Sequence, residues 1–174
     1  MRLKGFTLVE TLVAVSVLML VMVALMSLAY LGISQSITSK ERMVALYLAH
    51  DAMQYVVNMH QRDIQNGNTN NINTFVSRCS SSFGCRVATN SNNLNSSVTS
   101  NGNNTSNPLL RRSGANYRHT GSGTSIYRRA VYTYRDPLAT HDVRIRVRVW
   151  WTDDTGQIQE IELYRHVLAI GALL

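Results

Sequence analysis

Glu10 is the residue whose position most demands chemistry. It lies inside an otherwise apolar run from Phe6 to Ile33. A carboxylate near the centre of a bilayer costs about 2–3 kcal/mol or more, so it needs a partner. The second chemical feature is a concentration of arginine. Nine arginines face two aspartates between Arg111 and Arg148. Arg111, Arg112, Arg118, Arg128, Arg129, Arg144, Arg146 and Arg148 are candidate phosphate contacts, with Tyr127, Tyr132 or Tyr134 for base stacking. Such a patch could equally meet acidic glycans or anionic lipid headgroups; the alternative is a solvated sheet face with local ion pairs, and charge runs usually take that form. The third feature is the pair Cys79 and Cys85 around S-S-S-F-G. A metal site there would need two more ligands, and none is near in sequence.

No catalytic group stands out. G-x-S-x-G, H-E-x-x-H and the Walker glycine loop are absent from the sequence. His50, His60, His119, His141 and His166 are scattered and are expected at the surface. Asp153 and Asp154 could offer oxygen to calcium, but turn chemistry accounts for them as well or better. The expectation is a chain with no catalytic residue, no cofactor and no metal.

These residues must be positioned by a small number of elements. The run from Phe6 to Ile33 would make a helix about 42 Å long at ~1.5 Å per residue. That exceeds the ~20 apolar residues a bilayer core needs, and it is too long for a secretory signal. Arg2 and Lys4 precede it, which predicts a cytoplasmic N-terminus and export of the rest of the chain. In an exported domain two cysteines read as a disulfide, so Cys79–Cys85 is the expected bridge. Helical periodicity resumes after Glu41. Ala45, Ala49, Ala52, Val56 and Met59 recur at steps of four and three, widened by Leu48, Met53 and Tyr55. That stripe predicts the packed face of a helix, ending at Asn66-Gly67. One helix is therefore expected from Phe6 to about Ile64, with Gly32 as a place to bend.

From Asn66 to Asn107 the sequence is rich in Asn, Ser and Thr and poor in apolar residues. Such a segment buries little to offset its ordering entropy. A long surface loop is predicted, held by the cysteines and by Phe75, Val76, Phe83 and Val87 as weak anchors. Asn95, Asn103 and Asn104 head acceptor-type triplets for glycosylation, a weak signal. Ser125 to Tyr134 reads as a strand, interrupted by Asp136-Pro137. Then Val143, Ile145, Val147 and Val149 alternate with Arg144, Arg146 and Arg148. That is a strand with one apolar and one cationic face, ended by Trp150 and Trp151. T-D-D-T-G at Thr152 to Gly156 reads as a turn into a returning strand from Ile158 to Tyr164. The hairpin would place Glu160 and Glu162 near Arg146 and Arg148, which weakens the nucleic-acid reading. Val167 to Leu174 is too short to span a membrane and is expected as a last strand or a cap.

The start of the chain resembles a known signal. K-G-F-T-L-V-E, at Lys4 to Glu10, is similar to the prepilin signal of type IV pilins and type II secretion pseudopilins. Basic leader, Gly5, Phe6, Glu10 and apolar run all fall in register over about 30 residues. The resemblance implies cleavage between Gly5 and Phe6 by a membrane prepilin peptidase, and N-methylation of Phe6. The new amine would stand four residues before Glu10, on the same helix face, and the dipole favours a carboxylate in the first turn. Glu10 would pair with that amine or with a neighbouring subunit's, and so set register during assembly. Cleavage would remove Arg2 and Lys4 and lower the side-chain charge from +7 to +5. FTLVETLVAVSVL followed by Y-L-A-H-D-A-M-Q-Y most resembles PilV-type minor pilins and I-type minor pseudopilins.

The organisation expected is a cleaved leader (1–5), a transmembrane and assembly helix (6–33), its amphipathic half (34–65), an Asn/Ser-rich loop with a disulfide (66–110) and an antiparallel β head (111–174). The fold class is α+β, a long N-terminal helix packed on a small antiparallel sheet. The resemblance implies other pilins or pseudopilins, prepilin peptidase and an inner-membrane assembly platform as partners. It places the chain in the bacterial inner membrane as a single-pass protein with its head outside the cytoplasm, then in a pilus or pseudopilus.

Overall fold

The structure, a computed structural model, describes residues 7–68, 70–89, 98–100, 109–113, 116–118, 123–138 and 141–168. The first element is a continuous helix, α1 (Leu8–Gln65). The chain divides into two compact units inside this helix, residues 1–41 and residues 42–174.

In the first unit every described residue from Thr7 to Lys40 is exposed. The exposed side chains are largely apolar, among them Leu8, Leu12, Leu18, Leu20, Val23 and Leu28. By length and composition α1 is able to cross a membrane.

The second unit is built on antiparallel strands. After α1 come α2 (Asn71–Cys79), β1 (Cys85–Val87), β2 (Val98–Ser100), β3 (Arg111–Ser113), β4 (Asn116–Arg118), β5 (Arg128–Arg135), β6 (Asp142–Thr152) and β7 (Ile158–Leu168). Five strands form one sheet in the order β2-β1-β5-β6-β7, and β3 and β4 form a separate two-stranded ribbon. In β6 the alternation works as its sequence demands: Val143, Ile145, Val147 and Val149 are fully buried, while Arg144, Arg146 and Arg148 lie on the other face. The strand runs on through Trp150 and Trp151 to Thr152, and Trp151 is in the core.

The apolar face of the sheet is covered by the C-terminal part of α1. Ala45, Leu48, Ala49, Ala52, Met53 and Val56 join Val131, Ile145, Val147, Val149 and Trp151 in one core. Three of the helix residues on this face are alanines, each fully buried. The helix ends where Asn66-Gly67 forbids continuation, with Gly67 at φ 74°.

The segment read as a long loop is partly regular, which corrects that expectation. It carries α2, β1 and β2. Of the expected anchors Phe75 and Val87 are fully in the core while Val76 and Phe83 are half-buried, and Ile72 and Val98 are buried beside them. Composition underestimated the segment because α2 gains its burial from tertiary packing. Three side chains tie it down. Thr133 Oγ1 donates to the Val76 carbonyl at 3.0 Å, Arg135 Nη2 donates to Asn73 Oδ1 at 2.7 Å, and Arg78 Nη1 donates to the Val98 carbonyl at 3.3 Å. Asn95, Asn103 and Asn104 lie outside the described residues. Cys79, the last residue of α2, is bonded to Cys85, the first of β1, as expected.

Gly84 closes that small ring at φ 66°. A Cβ there would lie 2.7 Å from the Val131 carbonyl oxygen and 2.9 Å from the Tyr132 ring. Gly67 has φ 74° but open space around it. Gly84→Ala is therefore expected to destabilise the head by about 1–3 kcal/mol or more, from strain plus overlap. Gly67→Ala bears the strain alone, about 1–2 kcal/mol. Thermal melts of the two variants test this, and equal shifts would mean that the disulfide ring does not press on the sheet.

Candidate functional site

The N-terminal site is built on the first turn of α1. The Glu10 amide donates to the Thr7 carbonyl at 3.0 Å and to Thr7 Oγ1 at 3.3 Å. Thr7 thus caps the helix and holds Glu10 in its first turn, where the dipole favours a carboxylate. Sequence reasoning passed over Thr7, although T-x-x-E before an apolar run is a capping signal. The Glu10 side chain is exposed, and its carboxylate has no partner among the described residues. Gly5 and Phe6, the expected cleavage and methylation positions, lie outside the described residues.

In the head, the arginines separate into three kinds. Arg129 is buried, 1% exposed. It points from β5 towards α1 and β1: Nη1 donates to the Leu48 carbonyl at 3.0 Å and to Asp51 Oδ2 at 3.2 Å, and Nη2 donates to the Val87 carbonyl at 3.3 Å. Burial pulls its pKa below the usual arginine value, and the charge and hydrogen bond of Asp51 oppose that. Arg129 is therefore withdrawn as a phosphate contact. It is a clamp between helix and sheet, on the face opposite to Arg128. Alternation along β5 could have shown this, since Arg129 shares a face with Val131 and Thr133.

The second kind is paired on the outer face. Arg146 lies 3.5 Å from Glu162, and Arg148 bridges Glu160 and reaches Glu162 at 3.9 Å. The register makes this possible, with Arg148 opposite Glu162 and Arg146 opposite Tyr164. The hairpin thus joins the acids and bases its sequence brought near. The guanidiniums also stack on aromatic rings: Arg146 on Tyr132 at 4.4 Å, Arg148 on Trp150 at 5.3 Å and Arg144 on Tyr134 at 5.0 Å. The third kind is Arg144, exposed and with no carboxylate partner among the described residues. Arg128 is half-buried opposite Trp150, and Arg111 is exposed at the β3–β4 ribbon. The side chains of Arg112 and Arg118 lie outside the described residues.

Tyr127 is also withdrawn from the stacking set. It is in the core, edge-on to Tyr117 at 6.1 Å and tilted against Trp151 at 5.9 Å. His60, expected at the surface, is 3% exposed, and its Nε2 lies 3.0 Å from the Leu168 carbonyl. It sits on the sheet-facing side of α1, four residues after Val56, which explains its burial. His50 and His141 are exposed, His166 pairs with Asp142 at 2.8 Å, and His119 lies outside the described residues. Asp153 Oδ1 accepts from the amides of Thr155 and Gln157 and from the Thr155 hydroxyl, closing the β6–β7 turn. Among the described residues no three His, Cys, Asp or Glu side chains gather as a metal site.

Residues 1–26 match the family model of the prokaryotic N-terminal methylation motif. No curated protein and no solved structure matches the chain.

The ionic groups of the head can be tested by stability. Arg129→Ala is expected to cost about 2–5 kcal/mol, because it removes a fully buried side chain and the donor to the Leu48 and Val87 carbonyls. Asp51→Asn costs less, since Asp51 is 38% exposed and screened, and Arg129 keeps two carbonyls. Denaturant unfolding of both variants gives the order, and a larger loss for Asp51→Asn would refute the clamp. Asp153 has its pKa lowered, chiefly by the Thr155 hydroxyl and then the Gln157 amide. A lowered folded pKa means stability that is complete above the unfolded value of about 3.9 and is lost as pH falls through the folded one. Asp153→Ala should therefore lower the melting temperature at neutral pH and flatten its decline in acid.

Proposed function

We propose, from the premise that residues 1–26 are the prepilin-type signal of type IV pilins and pseudopilins, that this chain is a minor pilin that enters or primes a type IV pilus. Prepilin peptidase cuts between Gly5 and Phe6 and the new amine is methylated. Arg2 and Lys4 hold the leader on the cytoplasmic side before cleavage, and the head folds outside, where Cys79–Cys85 oxidises. The role is structural, carried by binding rather than by catalysis.

The observation that carries this reading is Glu10. A capped first turn presents a carboxylate, without a partner among the described residues, at the start of an apolar segment that is exposed from Thr7 to Lys40. In lipid such a group penalises every position except one beside a cation. The Phe6 amine of the same or a neighbouring subunit is that cation. Apolar packing between helices then supplies contact area, and the Glu10 pair supplies register. A minor pseudopilin of a type II secretion system would use the same signal and helix and is the second reading. A DNA-uptake role is weakened by Glu160 and Glu162, which neutralise Arg148 and Arg146.

Intact mass of the protein from membranes, with and without its prepilin peptidase, tests the reading. Loss of Met1 to Gly5 with gain of one methyl group is expected only when the peptidase is present. An uncut N-terminus would overturn it. Glu10→Ala should be processed normally and keep its disulfide, yet be missing from sheared filaments. Its incorporation at wild-type level would remove Glu10 from assembly.

A further inference from the structure

The outer face of the sheet carries a pocket lined wholly by residues of the head. Its volume is about 360 Å³. The floor is the strand-crossing row Tyr132, Arg146 and Tyr164, which the register places side by side, with Tyr134 and Arg144 in the next row. One wall is the run Ser80 to Ser82, held in place by the Cys79–Cys85 bridge and by Gly84 against Tyr132. The short ring thus serves as a rim fixed before any ligand arrives, which lowers the ordering cost of binding.

The chemistry of the pocket is selective. Arg146 is balanced by Glu162, which also accepts from the Tyr164 hydroxyl. Arg144 has no carboxylate partner among the described residues and is held over Tyr134. The pocket therefore offers one uncompensated guanidinium. Tyr134 and Tyr164 are 52% and 57% exposed, so ring surface beyond the Arg144 contact on Tyr134 is open to a ligand. The Ser80 and Ser81 hydroxyls donate to the Ser77 and Gly84 carbonyls, which leaves their oxygens as acceptors.

A long polyanion fits poorly, because Glu160 and Glu162 flank the same face and a nucleic acid needs several cations in line. A wholly apolar ligand would strand the serine oxygens and Arg144. What fits is a ligand with one carboxylate, several hydroxyl donors and a face able to lie on tyrosine. We propose that this pocket binds a single carboxylated sugar residue of an acidic glycan. Arg144 takes the carboxylate, for which a planar guanidinium is suited. Tyr134 and Tyr164 take the ring face, and the Ser80 to Ser82 edge takes sugar hydroxyls.

The test uses the full chain in detergent and calorimetric titration with galacturonate, glucuronate and N-acetylneuraminate. Galactose, glucose and a short oligothymidylate serve as comparison ligands. At least one acid sugar should bind saturably with a dissociation constant near or below the millimolar range. Arg144→Gln should weaken that binding about tenfold and leave the melting temperature unchanged, since Arg144 is on the exposed face. Tyr134→Leu should weaken acidic and neutral sugars alike, and Arg62→Gln, exposed and outside the pocket, should change nothing. Absence of binding by all three acids, equal binding of neutral sugars, insensitivity to Arg144→Gln or preference for oligothymidylate would each overturn the proposal. None of these outcomes bears on processing at Gly5, so failure here and failure of the pilin reading are distinguishable.

Discussion

The structure of the head depends on one contact, the packing of the C-terminal part of α1 on the apolar face of the sheet. Ala45, Ala49 and Ala52 are fully buried against β-branched residues of β5 and β6. Small residues set the distance, and Leu48, Met53 and Val56 fill what remains. A larger side chain at any of the three alanines would have to displace sheet or helix, because interiors packed to this density have no slack. Everything else in the head is placed with respect to that contact. α2 joins the same face, and the outer face is left for charge.

Arg129 adds direction to a contact that packing alone leaves free to slide. Apolar surfaces are indifferent to small translations, whereas a buried guanidinium is not. It reaches Leu48, Asp51 and Val87 at once, tying β5 to both α1 and β1. A shift of helix along sheet would leave that charge without its acceptors in a low-dielectric interior, at a cost of several kcal/mol. Under the proposed reading Glu10 follows the same physics in the other unit, as a carboxylate in an apolar helix whose partner is supplied by processing and assembly.

The outer face follows a different logic. Alternation on β6 forces three arginines outward, and the hairpin returns Glu160 and Glu162 beside two of them. Stacking on Tyr132, Tyr134 and Trp150 gives each guanidinium a fixed seat. A face that looks strongly basic in composition is thereby close to neutral except at Arg144. Net charge alone would have suggested a polyanion as ligand, and the pairing argues for something smaller.

By itself the sequence determined the elements whose signal is periodic or local. The apolar run, the alanine stripe of α1, the alternation of β6, the Asp153 turn and the Cys79–Cys85 pair all follow from spacing and residue type, because helix, strand and turn impose fixed repeats on neighbouring residues. The N-terminal signal is likewise local, and it is legible for the same reason. Tertiary structure alone decided what depends on residues far apart in the chain. It brought α2 into the core although its composition is polar, turned Arg129 and His60 inward although their types predict exposure, and joined the disulfide ring to Tyr132 and Arg144 as one pocket. Burial is a property of what lies opposite, and no stretch of sequence contains its own partner.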